Sequence, residues 1–129
     1  MPEFTERTAC QAPPEEVWKL LHDPERFADW WADTDRMESR DGGVTRYAEA
    51  WPDYPFPLDV ASRRDGAAIV ISCLRSDIVY EWTLSPAAEG CDGAVRVTIP
   101  EGEAARLEPV SAEASASLAR LVEVAQAAA

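Results

Sequence analysis

Histidine is nearly missing from this chain: His22 is the only one in 129 residues. Its unperturbed pKa suits a general base, but it stands at the end of a helical stretch, just before Asp23-Pro24, where a cap contact or plain exposure is the expected role. No Ser/His/Asp arrangement can be assembled around it. Cysteine is almost as scarce. Cys10, Cys73 and Cys91 are odd in number, widely spaced and without a C-x-x-C pair. That excludes a disulfide framework or a structural zinc site, and no metal or cofactor is expected. They read as free thiols of a reducing cytoplasm. Cys10 and Cys73 fall in strand-like stretches and are expected to pack; Cys91 falls in a turn and is expected to be exposed.

Positive charge is also short. Lys plus Arg number 12 against 24 Asp plus Glu, a net charge of −12. Such a surface repels phosphate backbones and anionic lipid, which excludes nucleic-acid and membrane-surface roles. It suits a basic protein partner. No apolar run approaches the ~20 residues that span a bilayer. The first residues, MPEFTERTA, carry acids and no apolar core, so no signal peptide is expected. No repeat or low-complexity linker appears beyond the terminal Ala127-Ala128-Ala129. The length fits one domain over residues 1–129, able to bury about two thirds of its unfolded surface.

The chain is organised around Ala12 to Trp31, APPEEVWKLLHDPERFADWW. Pro13 and Pro14 preset a helix start, and Glu15 and Glu16 complement the dipole of its first turn. Val17, Leu20 and Leu21 follow the spacing of one buried stripe, with Trp18 beside it. Asp23 then caps a second short helix with Pro24 at its first position. Phe27, Trp30 and Trp31 repeat the buried spacing, so a sharp bend is expected at Asp23.

Strands surround this pair. EFTERTACQ, Glu3 to Gln11, alternates loosely. Ala32 to Ser39 leads into a short strand that Arg40-Asp41-Gly42-Gly43 ends. VTRYAEAW, Val44 to Trp51, is a strand stopped by Pro52. The segment Pro52 to Pro57, with Tyr54 and Phe56 between prolines, is a loop that would serve as a lid, a rigid connector or a homodimer contact. Leu58 to Arg64 and Ala67 to Arg75 form a hairpin about Asp65-Gly66. The second is the most continuously apolar strand and should be central.

Ile78 to Pro86 alternates most clearly, with Ile78, Tyr80, Trp82 and Leu84 on one face. Ala88 to Gly93 reads as a loop, and Val95, Val97 and Ile99 as the last strand. From Glu101 the period changes. Glu103 to Leu107 can form a helical turn, which Pro109 should break or kink. Ser111 caps a helix to Gln126 of about 24 Å, whose stripe is Ala114, Leu118, Leu121, Val122 and Ala125.

One strand, two short helices, about six more antiparallel strands and one long helix define an α+β fold. It is a curved antiparallel sheet of about seven strands wrapped around the C-terminal helix. Such a sheet encloses a cavity suited to a small apolar ligand. The patterns P-x-x-x-V-W and D-P-x-x-F-x-x-W-W, with ASLARLVEVA from Ala116 to Ala125, resemble the START-like or SRPBCC superfamily and its helix-grip fold. The similarity covers essentially the whole chain. It is strongest to small bacterial proteins of the polyketide cyclase/dehydrase type and to homologues of a heat-shock-chaperone ATPase activator. The chain is short for the superfamily, which implies a small cavity, and no catalytic motif of the superfamily is present to carry over.

Three functions follow as expectations. The first is binding of a small hydrophobic molecule, polyketide-like, aromatic or lipid-like, lined by Trp31, Trp51, Tyr80, Trp82 and Leu118. These rings join an apolar body to a polar tip; the alternative for each is ordinary core packing. The second is a cyclase or dehydratase in which Tyr80 or a buried carboxylate moves a proton. It requires an ionisable group buried with a perturbed pKa. The third, implied by the chaperone-activator resemblance, is a protein-interaction module. Arg46, Arg75 and Arg96, and Glu49 and Glu81, are expected to face outward. An arginine turned inward would be costly unless paired and would mark an acidic or phenolate ligand.

Overall fold

Alternating residues from Glu3 to Cys10 make strand β1, which turns Phe4, Glu6, Thr8 and Cys10 toward the interior. The computed structural model describes residues 2–32, 34–40, 43–47, 58–65, 68–74 and 77–128. Helix α1, Pro14–His22, buries Val17, Leu20 and Leu21, the stripe its spacing predicts. Asp23 then does what its position suggests: its Oδ1 accepts from the backbone N–H of Glu25 at 3.0 Å. A single 3-10 turn, Pro24–Arg26, leads into the short helix α2, Phe27–Trp30. The Trp30 indole N–H donates to the Leu20 carbonyl at 2.8 Å, which ties the end of α1 to α2.

Six further strands follow: β2 Arg36–Arg40, β3 Gly43–Tyr47, β4 Leu58–Asp65, β5 Ala68–Cys73, β6 Val79–Ala87 and β7 Gly90–Thr98. With β1 they form one antiparallel sheet of order β1-β7-β6-β5-β4-β3-β2. The order places β5 at the centre, as its apolar run implies. The pairings Arg40↔Gly43 and Asp65↔Ala68 fix two of the expected hairpins. The first strand closes onto the last, so the two chain ends of the sheet meet at β1 and β7.

Helix α3, Leu107–Ala128, lies against the sheet and both short helices. Its buried residues are Val110, Glu113, Ala114, Ser117, Leu118, Leu121 and Ala125. This is the helix-grip arrangement.

Three features differ from expectation. Pro109 does not break α3. It lies in the first turn, where its missing N–H has no partner to lose, so α3 runs 22 residues behind a 3-10 stretch, Glu101–Arg106. The loop between β6 and β7 is only Ala88-Glu89, because Ala87 pairs Gly90 directly. Cys91 is therefore a strand residue, 1% exposed, not a surface thiol. It pairs Cys10 across β1, and burial, then its neighbour Cys10, pushes its thiol up to about 11.

Gly90 makes the tight turn workable. Its φ is +122°, and a Cβ there would run into the carbonyl of Cys10. Gly90→Ala should therefore destabilise the protein by at least about 1–3 kcal/mol from backbone strain. Urea unfolding with no shift in midpoint would contradict this.

Candidate functional site

The interior between sheet and α3 holds a charged pair. Arg46 on β3 and Glu113 on α3 are each 2% exposed. Arg46 Nη2 lies 3.3 Å from Glu113 Oε2. The expectation that Arg46 faces outward is thus overturned. Val44, Thr45 and Arg46 are buried in succession, so β3 has no solvent face here to receive a charge. The arginine meets its burial cost through polar partners: its Nε donates to Thr34 Oγ1 at 2.7 Å and its Nη2 to the Ala32 carbonyl at 2.9 Å. Its guanidinium carbon sits 4.0 Å from the centre of the Trp31 ring, a cation–π contact.

Glu113 is the residue that sequence reasoning missed. Its Oε1 accepts from Trp31 Nε1–H at 2.7 Å and from the Tyr80 hydroxyl at 3.0 Å. Its Oε2 faces Arg46 at ion-pair distance without the alignment of a hydrogen bond. Burial holds the carboxyl above its ordinary value of 4.5, opposed by the Arg46 charge and by the bonds from Trp31 and Tyr80. Burial likewise raises the Tyr80 hydroxyl well above 10.0, with the Glu113 charge adding to it.

Aromatic rings hold this cluster in place. Phe27 meets Trp30 edge-on at 5.3 Å, Trp30 stacks on Trp31 at 6.1 Å, and Trp31 meets Tyr80 edge-on at 5.4 Å. Trp82 meets Trp30 edge-on at 4.9 Å. Ser117, one turn beyond Glu113, accepts from the backbone N–H of Ala32 at 2.9 Å. The segment that follows α2 is thereby pinned to α3.

Of the sequence-predicted residues, Trp31 and Tyr80 come together on Glu113. Trp82 is beside Trp30, on the same face of β6 as Tyr80. Leu118 is buried about 7.5 Å further along α3, over the β7 backbone at Gly93. Trp51, the Pro52 to Pro57 loop, Glu49 and Arg75 lie outside the described residues. Arg96 is exposed and pairs with Glu3 at 3.3 Å, and His22 is exposed, both as expected. Glu81 is half-buried on the opposite face of β6 from Tyr80. Among the described residues no cluster of three metal-ligating side chains occurs, and no helix is long and apolar enough to cross a membrane. A surface groove of about 380 Å³ lined by Glu15, Trp18, Lys19, His22 and Arg64 lies on the other side of α1.

Residues 1–126 match the family described as polyketide cyclase / dehydrase and lipid transport. The chain belongs to this family. No curated protein matches it. Among solved structures it is similar to protein CV1439 from Chromobacterium violaceum (19% identity, TM-score 0.71, covering 98% of this chain and 99% of that one). It is similar to a Thermobifida fusca protein (17% identity, TM-score 0.73, 97% and 93%). It is also similar to the di-domain ARO/CYC protein StfQ from the steffimycin biosynthetic pathway (16% identity, TM-score 0.72). That match covers 96% of this chain but 50% of StfQ. At these identities the structural likeness establishes the shared fold; the family membership supports a polyketide-binding or cyclase-type role.

Glu113 also sets a pH dependence. Its folded pKa exceeds its ordinary value, so the folded state binds the proton more tightly than the unfolded chain does. The contribution of this group to stability must then fall as pH rises above about 4.5. Unfolding free energies of the wild type minus Glu113→Gln, measured across pH, should decline over that window, and more steeply in an Arg46→Met background. A difference that rises with pH would show the carboxyl to be held low instead.

Proposed function

We propose that this protein binds a small hydrophobic, polyketide-like or aromatic molecule between the sheet and α3. The reading rests on one observation: in an interior walled by Trp30, Trp31, Tyr80 and Trp82, a buried carboxylate and a buried arginine are held facing one another. Apolar walls with a few placed polar groups are what ligand sites of this kind share. Packing alone gains little from such a pair, since burying two charges costs about what their attraction returns. Trp31, Tyr80 and Trp82 supply the wall and Leu118 the far end on α3; Trp51, outside the described residues, is assigned to the site from the sequence pattern alone. The whole chain acts as one domain. Its three free thiols suit a cytoplasmic setting.

The raised Glu113 carboxyl favours a second reading, an enzyme of the cyclase or dehydratase type. A carboxylate whose pKa is lifted toward working pH is a better base. Oε2 would accept a proton from the ligand while Tyr80 and Trp31 hold Oε1 in place. The third reading, an interaction module with a basic partner, draws support from the net charge of −12. The large exposed apolar side chains among the described residues, Leu74 and Leu107, are single residues on different elements and give it no patch.

Protein purified from its own host should carry a retained small molecule in a native mass spectrum, and Trp82→Ala should lose it while remaining folded. A clean apo mass for the wild type across growth conditions would contradict binding. For the enzyme reading, Glu113→Gln should slow turnover of a poly-β-ketone substrate by roughly 10²- to 10⁴-fold at saturating substrate. An unchanged rate would remove Glu113 from the chemistry.

A further inference from the structure

Among the described residues, two buried side-chain polar atoms have no hydrogen-bond partner: Trp82 Nε1, and Glu113 Oε2, which lies at ion-pair distance from Arg46. Both residues are 2% exposed. The neighbouring indoles are satisfied, Trp30 by the Leu20 carbonyl and Trp31 by Glu113 Oε1. The two orphans therefore stand out against a core that otherwise pairs its indole donors. A buried donor left without water or partner bears its full desolvation cost, and such groups call for an explanation in a ligand or a bound water.

Their chemistry is complementary. An indole N–H can only donate, and a carboxylate oxygen accepts. Tyr80 and Trp82 are two residues apart on one face of β6, about 7 Å along the strand, and the Tyr80 hydroxyl reaches Glu113. The rings of Trp30, Trp31, Tyr80 and Trp82 pack around this part of the interior in stacked and edge-on contacts, an apolar setting that suits an aromatic body. Arg46 is engaged by Glu113, Thr34 and the Ala32 carbonyl. A ligand carboxylate would meet Glu113 rather than a cation.

We infer that Trp82 Nε1–H and Glu113 Oε2 determine specificity, and that the ligand is a neutral aromatic hydroxyketone. Its carbonyl oxygen accepts from Trp82 and its hydroxyl donates to Glu113. This also revises the expectation that an inward arginine marks an acidic ligand: Arg46 serves the protein's own carboxylate. The inference rests on the reading above that this interior takes a ligand.

The test is a titration of nitrogen-15-labelled protein with four probes: para-hydroxyacetophenone, acetophenone, phenol and benzoate. The indole N–H resonances report on Trp31 and Trp82 separately. Para-hydroxyacetophenone should bind about tenfold more tightly than acetophenone or phenol, and benzoate should bind most weakly. The Trp82 indole proton should move downfield with the two ketones and stay in place with phenol. Trp82→Phe should erase the advantage of the hydroxyketone over phenol and keep its advantage over acetophenone; Glu113→Gln should do the reverse. If the probes move the Trp31 resonance with equal affinity whatever oxygens they carry, or leave the Trp82 indole unmoved, an ordered water satisfies these atoms. The specificity inference then fails while the binding reading stands. If no probe moves either interior indole, both fail. Should Trp82→Phe not fold, the wild-type indole shifts across the probe series decide alone.

Discussion

The arrangement of the interior depends on one buried ion pair, Arg46 with Glu113, joining the far side of the sheet to the long helix. Neither charge could sit there alone. Removing one partner of such a pair leaves a bare charge in a poor dielectric, at a cost of about 3–5 kcal/mol. The pair is therefore a constraint on everything around it. Thr34 and the Ala32 carbonyl must reach the guanidinium, and Trp31 and Tyr80 must reach the carboxylate. The bend at Asp23 matters because it delivers Trp31, Ala32 and Thr34 to that place. Its cap and the indole bond from Trp30 to Leu20 fix the angle between α1 and α2.

Rings then act as the scaffold of the charged groups. A chain of edge-on and stacked contacts runs from Phe27 through Trp30 and Trp31 to Tyr80. Each ring carries few rotatable bonds, so little is lost in holding it. Arg46 lies against one of these rings, which shields the ion pair from water and strengthens it. The same shielding raises Glu113 and Tyr80 together. A group tuned in this way suits proton handling better than it suits stability, where an apolar core would serve as well or better.

Periodicity carried most of the fold and almost none of this cluster. The spacing of Val17, Leu20 and Leu21, the cap at Asp23 and the alternation of Tyr80 with Trp82 are local signals, and local physics realises them. Glu113 contacts Trp31 across 82 residues of sequence, and no short window contains both. A signal was present all the same. Glu113 falls in phase with Val110, Ala114, Ser117 and Leu121, so an acid and a serine stand inside an otherwise apolar stripe. In a helix begun at Ser111 it would be an ordinary first-turn acid complementing the dipole; the helix begins four residues earlier. Arg46 gave less warning, because alternation separates two faces only where one of them meets water. Cys91 departs from its expected exposure for a related reason. Glycines at positions 90 and 93 suggest a loop, but one permits a tight turn against β1 and the other leaves room for Leu118 over β7.

The site is built from four separate elements: Trp31 from the end of the helical bend, Arg46 from β3, Tyr80 from β6 and Glu113 from α3. No two are neighbours in sequence, so the constellation exists only once the sheet has closed on the helix. A fold shared at 16–19% identity therefore does not by itself carry the cluster with it. A helix-grip backbone supplies positions, and many side chains can occupy them without disturbing the grip. What this chain can do must be read from the side chains it places there. A carboxylate with one oxygen fixed by two donors and the other left without a hydrogen bond has a direction as well as a charge. That direction, more than the hydrophobic walls, is what the proposed ligand site requires and a core that merely excludes water does not.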